Sequence, residues 1–565
     1  MNTRHKFILI AVLLMATSAV VGWTLYQAQS SPARPLDQIM PEGALLYIEA
    51  RDFGALMKEW NASPEKAQWL KSDDYRVFSN SRLFLRLNKA SDEFAKASGV
   101  PPNMKFVNDA AGKESALDIY DIGNLEFLYI TRMNSGNFTQ SPLWQTRNKF
   151  QTRMAAGKPF YLRKEEETGR VVAFAVADDY LILGTRENLV AGALELMGGG
   201  KNRSIRQEGW YTKALAAAPA SAGDLRMALH LEKIAVTPHF RTYWVQQNIT
   251  EMQSYESAVS DLYREGAAYR EERVILPAAE DENAVAPSAQ AVTELQGMVP
   301  RDYGFFRAAK ADAKAGMAVV EQKIIAPHFG AAPLEKLAPQ VQLGSGQTGA
   351  GSDLETRIDV EPAARTVAGN ARDGLQKQFE NAGLQAMLVV QSTRKNSDGV
   401  LLANPSVIVL SAASVWDGNG VQKAIQDVLA PGLTASRLGA QWRQVNDAGG
   451  YFELDGLMPV QIASRGKLLF VANDAAALSL VLQTKSPASS PVIYAAGFSH
   501  ARERQNFYSF TSLVDRGTAT PNQPQFFSGN MASFSRSFAR VESEEVVVRE
   551  SKGKIQQTVT YHWTQ

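Results

Sequence analysis

The clearest pattern of apolar and polar positions runs from Val171 to Met197. Apolar residues alternate with smaller ones as far as Val176, two aspartates follow, and a second apolar run begins at Tyr180, which predicts a β-hairpin. Thr185 stands where a helix N-cap is expected, apolar residues then recur at helical spacing, and Gly198-Gly199-Gly200 ends the pattern. The segment predicts a strand, strand, helix unit.

Further elements precede this unit. Ala44 to Ala50 is predicted to be a buried strand, Asn80 to Ser98 a long helix, and Ala116 to Thr131 two strands joined by a tight turn. Pro142 to Met154 is predicted to be a helix. Residues 40–235 therefore predict a first α+β repeat, with meandering antiparallel strands and helices on one face.

The pattern changes after Pro238. No proline follows as far as Arg273, and apolar and aromatic residues recur mostly at spacings of three to five, which predicts a long amphipathic helix or a helical pair broken near Gly266. Such a helix either packs across both neighbouring regions or binds a partner as a coiled coil. Pro277 to Pro287 is acidic and bounded by prolines, so residues 236–297 predict a long helix and a linker.

The order of elements then begins again. A strand near Tyr303 matches the first strand of the chain, and a hairpin followed by a helix at residues 460–482 matches the central unit. Residues 298–510 therefore predict a second α+β repeat with an insertion near 330–400. Residues 511–565 predict a helical turn and a C-terminal β-hairpin. The overall prediction is two similar antiparallel-sheet-plus-helix halves joined by a long amphipathic helix.

The N-terminus predicts the location of the protein. Residues 7–26 are uncharged and long enough to cross a bilayer, and positive residues in 1–6 precede them, which predicts a cytoplasmic N-terminus and an exported body. A cleaved signal peptide ending near Ser30 is the alternative. Residues 27–39 are predicted to be a polar tether. We expect a single-pass protein of a bacterial inner membrane with most of its chain in the periplasm.

Composition narrows the range of functions. The 565 residues are 45% hydrophobic and 21% charged, with a net charge of +1, which is typical of a globular protein and gives no reason to expect nucleic acid as a partner. The chain contains no cysteine. Disulfides, thiolate metal sites and a cysteine nucleophile are therefore excluded.

No motif predicts catalysis. Gly497 to Ala501 lacks the final glycine of a nucleophile elbow, Gly198 to Lys201 follows a helix rather than the strand a phosphate loop requires, and Ser63 to Lys66 lacks its partner motifs. The histidines lack metal-ligand spacing; they are His5, His230, His239, His328, His500 and His562. We predict no catalytic, cofactor-binding or metal-binding residue and no enzyme.

Several segments carry a family resemblance: PEGALLYIEARDF, ALDIYDIGNLEFLYITRM, VVAFAVADDYLILGT, SAVSDLYREGAAYREERVIL and the closing TVTYHW. Together they resemble large, exported, uncharacterised bacterial proteins grouped as a domain of unknown function. The resemblance implies a membrane-anchored extracytoplasmic body with internal repetition and transfers no catalytic residue. A structural or protein-interaction module of the envelope is the expected function. The alternative is a periplasmic carrier that holds a lipid or another apolar ligand between its halves.

Overall fold

The computed structural model describes two stretches of the chain. It covers residues 34–329 without 72, 81, 134–137, 221, 238–254, 267 and 279–287, and residues 369–564 without 396–401, 434–440, 455–458, 487–490, 505, 507–540, 552 and 553. The predicted segments 1–6 and 7–26 and most of the predicted insertion lie outside the described residues. Among the helices in the described stretches, none is long and apolar enough to span a membrane.

Before residue 278, the described residues form ten strands. They are β1 Leu46–Ala50, β2 Ser115–Asp121, β3 Glu126–Arg132, β4 Gln151–Ala155, β5 Lys158–Lys164, β6 Val171–Ala177, β7 Tyr180–Gly184, β8 Leu225–Leu229, β9 Tyr255–Glu265 and β10 Ala268–Pro277. The helices among them in the described residues are α1 Phe53–Ala62, α2 Pro64–Leu70, α3 Asp73–Ser79, α4 Arg82–Ser98, α5 Met104–Ala110, α6 Pro142–Gln145, α7 Glu187–Met197, α8 Gly209–Ala217 and α9 Leu231–Val236.

The remaining strands follow residue 304. They are β11 Phe305–Lys310, β12 Leu384–Gln391, the short pair β13 Arg394–Lys395 and β14 Leu402–Ala403, then β15 Ser406–Ala412, β16 Trp442–Val445, β17 Tyr451–Leu454, β18 Val460–Arg465, β19 Leu468–Ala472, β20 Tyr494–Ser499, β21 Val541–Ser551 and β22 Lys554–Trp563. The helices are α10 Ser288–Gln296, α11 Ala313–Val320, α12 Gly369–Ala382, α13 Gly418–Leu433 and α14 Ala475–Gln483.

Two runs of ten antiparallel strands make up the sheet. The first run has the spatial order β4-β5-β6-β7-β3-β2-β1-β8-β9-β10. The second has the order β16-β17-β18-β19-β15-β12-β11-β20-β21-β22. Each strand of the first run has a counterpart at the same position in the second run. These counterparts also occur in the same order along the chain.

The last strands of the two runs pair with each other. β10 and β22 are antiparallel from Ala268 opposite His562 to Ile275 opposite Ile555, so the runs form one 20-stranded sheet. The predicted C-terminal hairpin is confirmed as β21 and β22. The helical turn predicted in 511–540 lies outside the described residues. The fold is α+β with a large antiparallel sheet, as the sequence predicts.

Helices cover both faces of each run. In the first run, α7 and α8 pack on the face of Ala173 and Ala175, whereas α4, α5 and α6 pack on the face of Val172 and Phe174. In the second run, α10 and α14 cover one face, and α11, α12 and α13 cover the other. The expectation of helices on one face is wrong. A strand such as β6, apolar at every position, is typical of burial on both faces.

The central unit is confirmed as β6, β7 and α7. Asp178 adopts a positive φ of 53° in the hairpin turn and forms an ion pair with Lys158 at 2.6 Å. The predicted N-cap is wrong: Arg186 takes that position, and the Thr185 hydroxyl accepts a hydrogen bond from the Phe127 N–H at 2.8 Å. Buried Thr185 therefore ties the start of the helix to β3.

The predicted long helix is wrong over its described part. Residues from Tyr255 onward form the hairpin of β9 and β10, and residues 238–254 lie outside the described residues. Ser257, Val259 and Asp261 are buried at alternate positions, which is a strand period. Gly266 supplies a positive φ of 63° at the turn. The aromatic residues recur at roughly helical spacing, but the residues that are buried alternate, and the segment forms a strand.

Two boundaries also need correction. Residues 34–39 of the predicted tether belong to the core, since Leu36 and Ile39 are buried and a short 3-10 turn forms between them. The helix predicted at 142–154 ends as α6 at Gln145, and the chain from Gln151 forms β4. Ala156 and Gly157, both with positive φ, turn β4 back into β5.

Candidate functional site: a buried acid–tyrosine cluster

Ionisable side chains gather on the face of the first run that α7 and α8 cover. Strands β1 and β2 each contribute two residues at i and i+2, which places them on one face, and the rest come from the 3-10 turn, from α8 and from the residue before α8. We call this set the acid–tyrosine cluster; its members are Asp37, Tyr47, Glu49, Asp118, Tyr120, Glu208 and Tyr211.

Part of the cluster is satisfied by hydrogen bonds. The Tyr47 hydroxyl donates to Glu49 at 2.7 Å, and Arg206 donates to Asp37 Oδ2 at 2.7 Å. Glu208 accepts from the Gly43 N–H and from the indole N–H of Trp210. These bonds join the chain before β1 to the segment that leads into α8.

Two buried oxygens of the cluster have no hydrogen-bond partner among the described residues. They are Oδ1 of Asp37 and Oδ1 of Asp118, on side chains that are almost completely buried. Burial raises the pKa of Asp118 well above its ordinary value, and the charges of Glu208 and Asp37 act in the same direction. Burial likewise raises the pKa of Glu49. Asp118 and Glu49 therefore keep a proton to higher pH than exposed carboxyl groups do.

The positions in the second run that match Tyr47, Glu49 and Asp118 are apolar. Tyr47 pairs with Asp118 in the first run, and Phe306 pairs with Val390 at the same place in the second. Glu49 corresponds in the same way to Ala308. Phe306, Ala308 and Val390 all belong to one apolar core. The strand arrangement therefore forms with apolar residues at these three places.

The chemistry open to the cluster is proton binding. Within the described ranges, no group of three or more histidine, aspartate or glutamate side chains is placed to hold a metal ion. The only arginine bonded to a cluster carboxylate through a described hydrogen bond is Arg206. Excess buried carboxyl groups without matching cations are neutralised by protonation.

The sequence motifs that resemble catalytic sites lie elsewhere. Ser499 ends β20 and helical residues begin at His500, so the strand-to-helix context is present, although the final glycine is missing. Burial lowers the pKa of His500 to about 4. Gly198 ends α7, which confirms it as a helix stop. The sequence analysis did not predict the cluster. The available signal was a pair of polar residues in each of two apolar strands, namely Tyr47 and Glu49 in β1 and Asp118 and Tyr120 in β2.

Two clefts open on the surface. One of about 360 Å³ lies along α7 and is lined by Pro41, Glu42, Asn188, Glu195 and Arg203 among others. The other, of about 260 Å³, lies where α13 begins and is lined partly by Trp416, Asp417, Asn419, Phe452 and Ser464. Both linings mix polar and apolar side chains, unlike the predominantly apolar lining of most small-molecule pockets.

Comparisons with known proteins give little. No family model matches the chain, and no curated protein matches it. The structure of crystal form IV of TP0453 aligns with 44% of this chain and 83% of its own, at 11% identity and a TM-score of 0.25. Crystal form I of TP0453 aligns with 46% of this chain and 85% of its own, at 10% identity and a TM-score of 0.24. These values are too low to support an inference about fold or function.

Proposed function

We propose that this chain is a membrane-anchored extracytoplasmic protein of the bacterial envelope, built from two duplicated halves, that acts by binding other envelope proteins and catalyses no reaction. The anchor is the apolar segment 7–26 and the compartment is the periplasm. The observation that carries the proposal is the repeated ten-strand order, closed into one sheet by β10 and β22. A continuous sheet makes a rigid platform on which binding surfaces keep fixed positions.

The junction itself supports the duplication. The hairpin of β9 and β10 begins at Tyr255, and the hairpin of β21 and β22 begins at Val541. On that correspondence Glu272 matches Thr558, and these two residues face each other across the junction. Pairing of equivalent residues is the geometry of a two-fold interface, in which one surface meets a copy of itself.

The filled interior favours binding of proteins over carriage of a lipid. On both faces of both runs, the described side chains pack into continuous apolar cores between sheet and helices. A lipid carrier, the alternative function, needs an apolar chamber, whereas the two described clefts are small and have mixed polar and apolar linings.

The surface that we expect to meet a partner protein is the helical layer α1 to α5. Its exposed large apolar side chains are Trp60, Leu70, Leu85, Leu87 and Met104. Basic residues such as Lys58 and Lys89 lie in the same layer. Several exposed large apolar side chains in one helical layer favour that layer as an interaction site.

Photo-crosslinking in the native membrane tests this proposal. A photoreactive amino acid at Leu85, which is 56% exposed, should give a covalent adduct with a defined envelope protein. The same substitution at Leu480, 48% exposed on α14, is the matched control and should give none. Native mass spectrometry of the detergent-extracted protein should show a mass that begins at Met1 with that partner attached. A mass shortened near Ser30, or a reproducible lipid adduct, would favour the carrier instead.

A further inference from the structure

The chain before β1 lies across the face that contains the acid–tyrosine cluster. We call residues 34–43 the N-terminal strap. Arg34 donates hydrogen bonds to the carbonyls of Leu196 and Met197 at 3.0 Å, and Leu36, Ile39 and Met40 are buried in the core below. The strap is thus held at its start by the end of α7 and along its length by apolar packing.

Backbone hydrogen bonds hold the far end of the strap. The Ile205 N–H donates to the Met40 carbonyl at 2.9 Å, and the Glu42 N–H donates to the Arg203 carbonyl at 3.0 Å. The hydroxyl of Tyr120 lies 2.8 Å from the Pro41 carbonyl oxygen. Tyr120 is therefore the side chain through which the sheet holds this part of the strap.

The Tyr120 hydroxyl also lies 3.2 Å from Oδ2 of Asp118. A hydroxyl has one proton and donates it to one acceptor at a time, while its oxygen accepts from another donor. The Pro41 carbonyl can only accept. The Tyr120 hydroxyl can therefore form hydrogen bonds with Asp118 and with Pro41 at the same time only when Asp118 is protonated. Asp118 then donates to Tyr120, and Tyr120 donates to the Pro41 carbonyl.

We propose that Asp118 and Tyr120 form a proton-operated latch for the N-terminal strap, closed when Asp118 carries a proton and weakened when Asp118 ionises. Ionised Asp118 competes with the Pro41 carbonyl for the single Tyr120 proton. It also places a new negative charge near Asp37 on the strap and near Glu208, which binds the Gly43 N–H.

The groups around Asp118 set the direction of the response. Burial raises the pKa of Asp118, the hydrogen bond from Tyr120 opposes that effect, and the carboxylates Glu208 and Asp37 add to it; the pKa is raised overall. The other ionisable groups that face the cluster are Tyr47 and Glu49 on β1, Tyr120 on β2, Arg206 beside the 3-10 turn, Tyr211 on α8 and Arg226 on β8. Because the folded pKa is raised, strap closure is complete below the ordinary aspartate pKa and is lost as the pH rises through the folded pKa.

Hydrogen exchange of the full-length protein in detergent tests the latch between about pH 5 and pH 9, with rates corrected for intrinsic chemistry. In the wild type, protection of the Glu42 and Ile205 amides should fall with rising pH, at a limit of about tenfold per pH unit for one linked proton. Asp118→Asn retains a donor to Tyr120, so its protection should stay high across the range. Asp109→Asn, exposed on α5, should behave as wild type.

A second variant and a second observable keep the test decisive. Tyr120→Phe removes the hydroxyl in both protonation states, so strap protection should be low throughout the pH range while the amides of β6 and β7 stay protected. The infrared band of the protonated Asp118 carboxyl group, resolved from any band of Glu49, should vanish in Asp118→Asn and persist in Asp109→Asn. Equal pH profiles for the wild type and Asp118→Asn, or no such band in the wild type, would overturn the proposal.

Discussion

A buried ion pair beside the acid–tyrosine cluster allows a quantitative test of how charges stabilise the first run. Asp261 is fully buried and accepts from Arg226 Nε and Nη2 at 2.8 Å each, and from the Gly223 N–H at 2.9 Å. The Arg226 side chain is 13% exposed. At the matching places in the second run, Ala495 pairs with Val547. Valine at position 261 is therefore compatible with this place in the strand order.

Asp261→Val should lower the free energy of unfolding by about 3–5 kcal/mol, because it leaves the Arg226 guanidinium buried without its counter-charge. The double variant Arg226→Ala, Asp261→Val copies the second run and should recover most of that loss. A deficit of about 1 kcal/mol should remain, since the Gly223 N–H still lacks its acceptor.

Urea denaturation followed by both circular dichroism and tryptophan fluorescence measures these differences, provided that the two signals change together. The single variant Arg226→Ala completes the cycle and isolates the coupling of the pair. The reasoning fails if Asp261→Val costs less than about 1 kcal/mol, or if the double variant is no more stable than Asp261→Val.

Three further changes test other parts of the fold by the same denaturation assay. Burial raises the pKa of Glu93, but its hydrogen bond with Arg170 at 2.6 Å and nearby positive charges lower the pKa overall. Glu93→Gln should therefore lower the free energy of unfolding by about 1–3 kcal/mol at neutral pH. This loss should disappear as the pH falls through the lowered pKa of Glu93 in the folded protein. Ala156→Gly should raise the free energy of unfolding by up to about 1 kcal/mol, because the φ of Ala156 is +46° and glycine adopts that conformation without strain. A decrease of the same size would show instead that the Ala156 methyl group contributes to packing. Thr558→Pro should lower the free energy of unfolding by about 3 kcal/mol or more, because β22 lies between β10 and β21 and proline interrupts its pairing. Unfolding should then separate into two transitions. A single unchanged transition would refute the role of the junction.

Local sequence patterns predicted the elements whose apolar period was strong. The hairpin and helix from Val171 to Met197 and the C-terminal hairpin are confirmed because alternation, turn residues and glycine stops agree there. The predicted N-cap at Thr185 was wrong because the Thr185 hydroxyl forms a hydrogen bond with the Phe127 N–H of a distant strand instead of capping the helix. Elements were thus predictable where local and tertiary demands coincide.

The errors arose where two periods overlap. Between Tyr255 and Tyr263, aromatic residues suggest helical spacing, while Ser257, Val259 and Asp261 are the side chains that the sheet buries. Two of those three are polar, so hydrophobicity alone could not reveal the strand period. The same limitation concealed the acid–tyrosine cluster. A sequence read for apolar positions assigns a buried carboxyl group such as Asp118 to the surface.

The pairing at the junction connects the cluster to the rest of the sheet. One row of paired residues crosses the first run as Glu49, Arg226, Asp261 and Glu272, and then meets Thr558 on β22. The row continues through Val547, Ala495 and Ala308, which are uncharged. Since the same strand order forms around apolar residues in the second run, folding does not require the charges of the first. Glu49 and Asp118 match apolar positions in the second run, and the proton latch gives Asp118 a role that the strand order does not require.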